Sequence, residues 1–373
     1  MRKRSIALML CLLAGAASVV HGQAATMAPP VSASAQATAQ APALPRVRLV
    51  ATGGTISNRR GGRLTADEIV VSVPALAEVA DVEAEQFANV ASSQLTLEQW
   101  LDIARRIEQL FREDPQLAGV VVTSGTDTLE ELAYFLHLTV RDRRPVVVTG
   151  SMRNPSQVGY EGQANLLASV RVAADAGAAG RGVLVVLNDE INGARDVTKT
   201  DALRLHTFAS RTFGALGVVD TDRVVFRRTA EGRHTTASEF DVAAITALPR
   251  VDVFMVYQGA PGDLMKAAID FGAKGLVIAT AGAGATSGTQ GEGFAYAREK
   301  GVPVVATTRT GSGRIAGPRR PAGPGAAAPQ GPPGMAPRIA AGDLSAVKAR
   351  ILLMLALTKT SDSADLQRMF SEY

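Results

Sequence analysis

Two short threonine-bearing loops contain the residue types of this sequence best suited to chemistry. Residues 52–56 carry Gly54 and Thr55, and residues 124–128 carry Thr126 and Asp127. A threonine hydroxyl becomes a nucleophile once a neighbouring group takes or repels its proton. The glycine pair before Thr55 permits a sharp turn and can leave amide hydrogens free to stabilise an oxyanion, an effect worth about 3–4 kcal/mol. A glycine turn that only joins a strand to a helix is the competing interpretation.

The second loop has two compatible interpretations. Asp127 could grip an ammonium group or orient a hydroxyl. Alternatively, Thr126 or Asp127 caps the following helix and Glu130 completes a capping box. A helix N-terminus attracts carboxylates, so that capping and substrate binding can coexist. Further along the chain, Lys199 is a candidate proton acceptor, although composition alone favours an ordinary surface lysine.

Apolar stretches precede both loops and predict the elements that position them. Alternation of strands and helices is typical of a parallel sheet covered by helices, whose buried strands read as apolar runs. In such sheets ligands bind beyond the carboxyl ends of the strands, so we expect both threonine loops at one crevice. The expected strands are residues 47–51, 119–123, 145–149 and 182–187, and the expected helices are residues 97–111 and 128–140.

A second alternating set begins near residue 250 and predicts a second domain. We expect an α/β protein with a flavodoxin-like, doubly wound parallel-sheet domain at residues 46–227, a linker at 228–250 and a smaller α/β domain at 251–373. The Gly/Pro-rich residues 311–337 cannot hold a regular element. The expected C-terminal strands are residues 251–257, 275–280 and 303–307, with helices at 263–271, 291–300, 344–355 and 366–370.

The N-terminal residues are expected to lie outside the fold. Residues 1–22 combine a basic start, a short apolar run and small residues, which is the pattern of a secretory signal peptide. Residues 23–45 are rich in Ala and Pro and predict a disordered tether. The single cysteine, Cys11, leaves with the signal. Removal of the three basic residues of the signal lowers the formal charge from +4 to about +1, which argues against nucleic-acid binding. We therefore expect a periplasmic or secreted protein without a membrane partner.

Four ordered motifs resemble the bacterial L-asparaginase and glutaminase-asparaginase family, in its secreted, type II-like branch. They stand at residues 51–56, 124–131, 193–200 and 348–358. The resemblance implies hydrolysis of the side-chain amide of L-asparagine to aspartate and ammonia through an acyl-threonine intermediate. It also implies a homotetramer of intimate dimers that needs no metal and no organic cofactor.

The resemblance further implies roles for single residues in the reaction. Thr55 matches the nucleophile of the family. Thr126 and Lys199 match a second hydroxyl–amine pair, and Asp127 matches the carboxylate that holds the substrate ammonium group.

Four more residues are expected to bind the substrate. Ser92 matches the serine that binds the substrate carboxylate, and Ser93 is its neighbour in the site. Gly54 and Gly125 are expected to line the substrate. An amino-acid amide needs donors for its carboxylate, an acid for its ammonium group and a nucleophile beside oxyanion donors, and these residues satisfy that list.

The sequence departs from the family pattern at three places. Residues 57–64 contain no tyrosine, although the family commonly has one in the loop after the first motif. Ser124 stands where a histidine is frequent, and residues 309–342 contain no acidic residue that could support a neighbouring subunit. Arg59, Arg60 or Arg63 could lie over the site instead; a plain solvated loop is the alternative.

Two other functions stay open on the sequence alone. The enzyme could prefer glutamine, because one methylene changes discrimination by only about 1–3 kcal/mol. A non-catalytic periplasmic amino-acid binder on the same scaffold is the alternative from another class. His137, His206 and His234 lack the spacing of metal ligands, and His137 lies in an apolar helix as a packed or surface residue.

Overall fold

A computed structural model of the protein describes residues 43–317 and 338–373. The predicted signal peptide, residues 23–42 of the predicted tether and residues 318–337 of the Gly/Pro-rich segment lie outside the described residues. The chain from Leu44 to Tyr373 forms one compact unit.

The strands up to residue 226 build one large sheet and two small hairpins. In chain order they are β1 (Arg46–Gly53), β2 (Asn58–Arg59), β3 (Gly62–Arg63), β4 (Asp81–Val90), β5 (Leu117–Thr123), β6 (Val146–Thr149), β7 (Val183–Leu187), β8 (Glu190–Gly193), β9 (Thr198–Lys199), β10 (Phe208–Ala209), β11 (Gly217–Val219) and β12 (Val224–Phe226). The large sheet has the order β12-β11-β8-β7-β6-β5-β1-β4. Its strands β4, β1, β5, β6 and β7 run parallel, and β8, β11 and β12 extend it antiparallel.

Helices cover both faces of this sheet. Val120 and Val122 of β5 belong to the apolar cluster formed with the helices Leu97–Glu113 and Leu129–Thr139, whereas Val121 belongs to the cluster formed with the helices Ala66–Val71 and Gly162–Ala174. Successive side chains of a strand point to opposite faces, so a continuous apolar run fits a strand buried on both sides. The helices of the protein are α1 (Ala66–Val71), α2 (Leu97–Glu113), α3 (Leu129–Thr139), α4 (Gly162–Ala174), α5 (Asp263–Asp270), α6 (Gln290–Glu299), α7 (Ala346–Ala356) and α8 (Ser363–Glu372).

A smaller parallel sheet follows in the C-terminal part of the chain. It has the order β13-β14-β15-β16, with β13 (Val251–Met255), β14 (Gly275–Thr280), β15 (Val304–Thr308) and β16 (Ile339–Ala340). Helix α7 packs against this sheet and also against α3, so one apolar cluster continues across both sheets.

The predicted α/β class, with a large parallel-rich sheet and a smaller parallel sheet, is confirmed. The residue limits predicted for the domains and the linker stay a prediction, since α7 joins the two sheets within one compact unit. Strand β4 and helix α4 were not predicted from the sequence. Within the described residues, no helix has both the length and the apolar character needed to cross a membrane.

Candidate active site

The two threonine loops leave the same edge of the large sheet, as expected. Strands β1 and β5 are parallel neighbours, so their carboxyl ends lie side by side. The hydroxyl of Thr52 donates a hydrogen bond to the carbonyl oxygen of Thr123 over 2.8 Å and ties the two strand ends together. A Cβ atom on Gly54 would lie only 2.2 Å from the amide nitrogen of Gly125. Glycine at position 54 therefore allows the two loops to touch.

The glycine turn before Thr55 does not have the bare amide that we expected at Gly54. Gly53 and Gly54 have φ values of 103° and 85°, a region that favours glycine. The amide of Gly54 donates to the carbonyl oxygen of Val90 over 2.8 Å. The contribution of Gly54 to the site is therefore close packing of backbones, and an oxyanion donor has to come from elsewhere.

Ser92 lies beside this contact, in a 3-10 turn after the edge strand β4. It is buried, and its Oγ accepts a hydrogen bond from the amide of Thr128 over 3.3 Å. A Cβ atom on Gly125 would lie 2.8 Å from the same Oγ. Ser92 is therefore adjacent to the second threonine loop, while Ser93 in the same turn is exposed.

Lys199 is not the surface lysine that composition suggests. Its side chain is 15% exposed, and its Nζ donates hydrogen bonds to Thr126 Oγ1 over 3.0 Å and to Asp127 Oδ1 over 2.7 Å. The Asp127 side chain is 76% exposed and remains open to a ligand. The structure thus brings the lysine, the threonine hydroxyl and the carboxylate into direct contact.

Glu130 does not form the capping box predicted for α3. Thr128 is the N-cap residue of that helix, and its side chain makes no capping hydrogen bond. One carboxylate oxygen of Glu130, Oε1, accepts instead from the Thr198 hydroxyl over 2.9 Å and from the Lys199 amide over 3.1 Å. Glu130 therefore holds the strand that carries Lys199, a role that sequence spacing did not reveal.

Two further side chains, Arg63 and Tyr160, bind backbone carbonyl groups on either side of Thr55. The Nη1 atom of Arg63 donates to the carbonyl oxygen of Gly54 over 3.4 Å, whereas Arg59 pairs with Glu68 at 3.1 Å. The hydroxyl of Tyr160 donates to the carbonyl oxygen of Ile56 over 2.9 Å. Burial raises the pKa of Tyr160, so this phenol stays protonated and remains a donor. A tyrosine from a distant part of the sequence thus contacts Ile56, directly before the segment that lacks one.

The arrangement has the parts of an acyl-transfer site. Thr55 is half-buried, and its hydroxyl makes no hydrogen bond to any residue in 43–317 or 338–373. The amides of Gly125 and Thr126 likewise make none within those ranges. In the same part of the chain, no group of three or more His, Cys, Asp or Glu side chains could hold a metal ion.

Comparisons with known proteins agree with this geometry. The family model described as Asparaginase, N-terminal matches residues 46–232, and that described as Glutaminase/Asparaginase C-terminal domain matches residues 250–370. The chain is 39% identical over 340 residues to L-asparaginase 2 of Bacillus subtilis (strain 168), covering 88% of this chain and 87% of the relative. The crystal structure of a probable cytoplasmic L-asparaginase from Campylobacter jejuni superposes with a TM-score of 0.80 at 37% identity, covering 88% of this chain and 100% of that one.

The predicted periplasmic or secreted location is wrong. The C. jejuni protein is described as cytoplasmic, while a Haemophilus influenzae relative, 35% identical over 344 residues and covering 90% of this chain and 95% of its own, is named as a probable periplasmic L-asparaginase. Relatives occur in more than one compartment. Amide hydrolysis consumes only water, so the chemistry itself ties the fold to no compartment.

Together, the two family models match residues 46–232 and 250–370, the greater part of the chain. The chain belongs to the asparaginase family and is a hydrolase of the L-asparaginase class, acting on a small-molecule amino-acid amide.

Proposed function

We propose that the protein hydrolyses the side-chain amide of L-asparagine to aspartate and ammonia through an ester on Thr55. The observation that supports this most directly is the meeting of three separate segments at one sheet edge. The first threonine loop touches the second at Gly54 and Gly125, and the second loop receives hydrogen bonds from Lys199.

The substrate would be oriented by its fixed charges. Ser92, whose Oγ lies next to Gly125, would bind the carboxylate together with its neighbour Ser93, and the exposed Asp127 would hold the ammonium group. Asp127 also pairs with Lys199 at 2.7 Å. Binding of the substrate ammonium would give Asp127 a second cation and leave Thr126 as the closer partner of Lys199.

In the first half of the reaction, the Thr55 oxygen attacks the side-chain carbonyl carbon of asparagine. Its proton passes to the Thr126–Lys199 pair, and the amides of Gly125 and Thr126 stabilise the oxyanion. The same pair returns a proton to the amide nitrogen, which leaves as ammonia. In the second half, water attacks the ester, and aspartate leaves with Thr55 restored.

The active form is proposed to be at least a dimer, and a tetramer of intimate dimers is the expected assembly. In the described part of the C-terminal region, the apolar side chains of Met255 and Phe271 are 60% and 79% exposed, and an assembly could cover them. Light scattering on active enzyme tests the assembly, and a fully active monomer would contradict it.

The decisive experiment compares ammonia release from L-asparagine by the wild type, Thr55→Ala and Thr126→Ala. Thr221→Ala, which alters an exposed threonine between β11 and β12, is the matched control. We expect both site variants to lose activity and the control to keep it. Wild-type turnover in both site variants would refute the proposed mechanism.

Two further measurements separate the alternatives. Calorimetry that shows stable binding of asparagine without product would favour the amino-acid binder. Ratios of kcat/KM for asparagine and glutamine decide the substrate preference, because a pocket distinguishes one methylene by only about 1–3 kcal/mol.

A further inference from the structure

The proposed reaction makes no use of a fully buried lysine that lies behind the site. Lys348, on α7, is 2% exposed. Its Nζ donates hydrogen bonds to the carbonyl oxygens of Arg195, over 2.9 Å, and of Val197. Taking an ammonium group out of water costs several kcal/mol unless it is paired and hydrogen-bonded. Burial lowers the pKa of Lys348 to about 8. A residue this costly to bury calls for a compensating role.

Glu130 connects this lysine to the segment that carries Lys199. Its Oε2 lies 3.9 Å from Lys348 Nζ and accepts no hydrogen bond from the described residues. Its Oε1 accepts from Thr198 Oγ1 and from the amide of Lys199. Lys348 thus holds the backbone just before β9, and Glu130 holds β9 itself.

Strand β9 needs such support because its own pairing is short. It consists of Thr198 and Lys199, and among the described strands it pairs only with the two residues of β10. A two-stranded hairpin is marginally stable by itself. Lys199 must nevertheless place its Nζ 3.0 Å from Thr126 Oγ1, and a displacement of about 1 Å in such a contact costs about a hundredfold in rate.

We propose that Lys348 and Glu130 are positioning residues that together form a clamp, through which helix α7 holds β9 so that the Lys199 amine meets the Thr126 hydroxyl. This inference rests on the role of Lys199 in the proposed function. Since α7 also packs on the smaller sheet, the clamp couples the C-terminal part of the fold to the proton-transfer pair.

The test removes the charge of the clamp with little change of shape. In Lys348→Met, we expect kcat for asparagine to fall about 10- to 100-fold while KM changes by less than about threefold, because Ser92, Asp127 and Thr55 lie on segments other than β9. Glu130→Gln keeps an acceptor oxygen for β9, and Glu130→Ala keeps none. The expected order of kcat is wild type, then Glu130→Gln, then Glu130→Ala.

A control variant must show that a loss of stability alone does not lower kcat in this way. Leu353→Ala is the matched control, since Leu353 is buried on the same helix but packs beside Gly275 in the smaller sheet. We expect it to lower the melting temperature as much as Lys348→Met does and to leave kcat within about twofold of wild type. Equal losses of kcat in the two variants, or wild-type kcat in Lys348→Met, would overturn the clamp.

Thr198→Val serves if Lys348→Met does not fold. It removes only the hydroxyl that donates a hydrogen bond to Glu130. We expect kcat to fall about 2- to 10-fold, the effect of one hydrogen bond. A kcat equal to that of wild type would count against the clamp.

Lys199→Met separates failure of the clamp from failure of the proposed function. If Lys199→Met keeps wild-type ammonia release, the proposed role of Lys199 fails and the clamp fails with it. If Lys199→Met is inactive while Lys348→Met is fully active, only the clamp fails. The double variant Lys199→Met/Lys348→Met should have the same kcat as Lys199→Met, because Lys348 is proposed to act through Lys199. A further loss of kcat in the double variant would contradict that proposal.

Discussion

The two sides of the candidate site differ in how firmly the surrounding residues hold them. On one side, Thr126 receives a hydrogen bond from Lys199, whose strand is held by Glu130 and, behind it, by the buried Lys348. On the other side, Thr55 is followed by an exposed hairpin, β2–β3. Its contacts with the rest of the fold are solvent-exposed or long: the Arg59–Glu68 ion pair, the hydrogen bond from the Arg60 amide to Ser156, and the 3.4 Å contact from Arg63 to Gly54.

This difference indicates how the site divides its work. Hydrogen-bond donors and proton carriers accelerate a reaction most when they are fixed before the substrate arrives. Substrate entry and product release instead require a segment that moves, and such segments have few buried contacts. We infer that the Thr126–Lys199 side is preorganised and that the hairpin after Thr55 adjusts to the substrate.

The largest expected effect comes from breaking the rigid side. Lys199→Met should lower kcat by about 10²- to 10⁴-fold, the usual contribution of a positioned proton carrier. Thr126→Val should cost about the same, and the double variant should be little worse than either, since the two residues act as one unit. Ammonia release under saturating asparagine measures all three. Losses that multiply in the double variant would show that the pair does not act together.

Hydrogen exchange compares the two sides directly, without substrate. The Lys199 amide donates to Glu130 inside the fold, whereas the Arg60 amide donates to the exposed Ser156 hydroxyl. We expect the Arg60 amide to exchange faster by on the order of a hundredfold, because local opening of a surface hairpin requires far less free energy than opening of β9, which Glu130 and Lys348 hold. Similar exchange rates at both positions would remove the distinction between a rigid and an adjustable side.

A smaller effect is expected from the adjustable side. Tyr160→Phe removes the hydroxyl that holds the Ile56 carbonyl, one residue after Thr55. We expect kcat/KM to fall about 2- to 10-fold, the effect of one hydrogen bond. Tyr296→Phe removes an exposed hydroxyl that bonds to Asp270 and is the matched control, expected to match wild type. If Tyr160→Phe lost as much activity as Lys199→Met, catalysis would depend on the position of the hairpin side as strongly as on that of the Thr126–Lys199 side.

More of the Thr126–Lys199 side than of the hairpin side could be predicted from the sequence. Strands β5, β6 and β7 are buried on both faces and read as continuous apolar runs, so their positions and the loops after them were predictable. The edge strand β4 was missed because its residues are only partly buried and alternate with charged ones. Its end carries Ser92, which only the family resemblance identified.

Contacts between residues distant in sequence were beyond such reasoning. The spacing of Asp127 to Glu130 fits a capping box, but the Glu130 carboxylate accepts hydrogen bonds from Thr198 and Lys199 instead. Tyr160 follows Ile56 by more than a hundred residues, so no local pattern linked them. Pairings of this kind depend on tertiary packing, which single-sequence periodicity does not encode.

The smallest expected effect concerns the far end of α3, the helix that begins beside Thr126. There, His137 is buried, its Nδ1 accepts from the Val183 amide over 3.1 Å, and its ring lies 4.8 Å from that of His234. Burial lowers the pKa of His137 well below its usual value, and the neighbouring His234 lowers it further. The unfolded chain therefore binds more protons than the folded one once the pH falls below about 6.5.

The free energy of unfolding should accordingly decrease as the pH falls from about 6.5 towards the folded-state pKa, by about 1.4 kcal/mol for each unit of pKa shift. His137→Asn retains an acceptor for the Val183 amide but cannot titrate, so its urea-unfolding free energy should change less between about pH 7.5 and about pH 5.5. An equal pH dependence in the wild type and His137→Asn would mean that the buried histidine does not limit the acid stability of the protein.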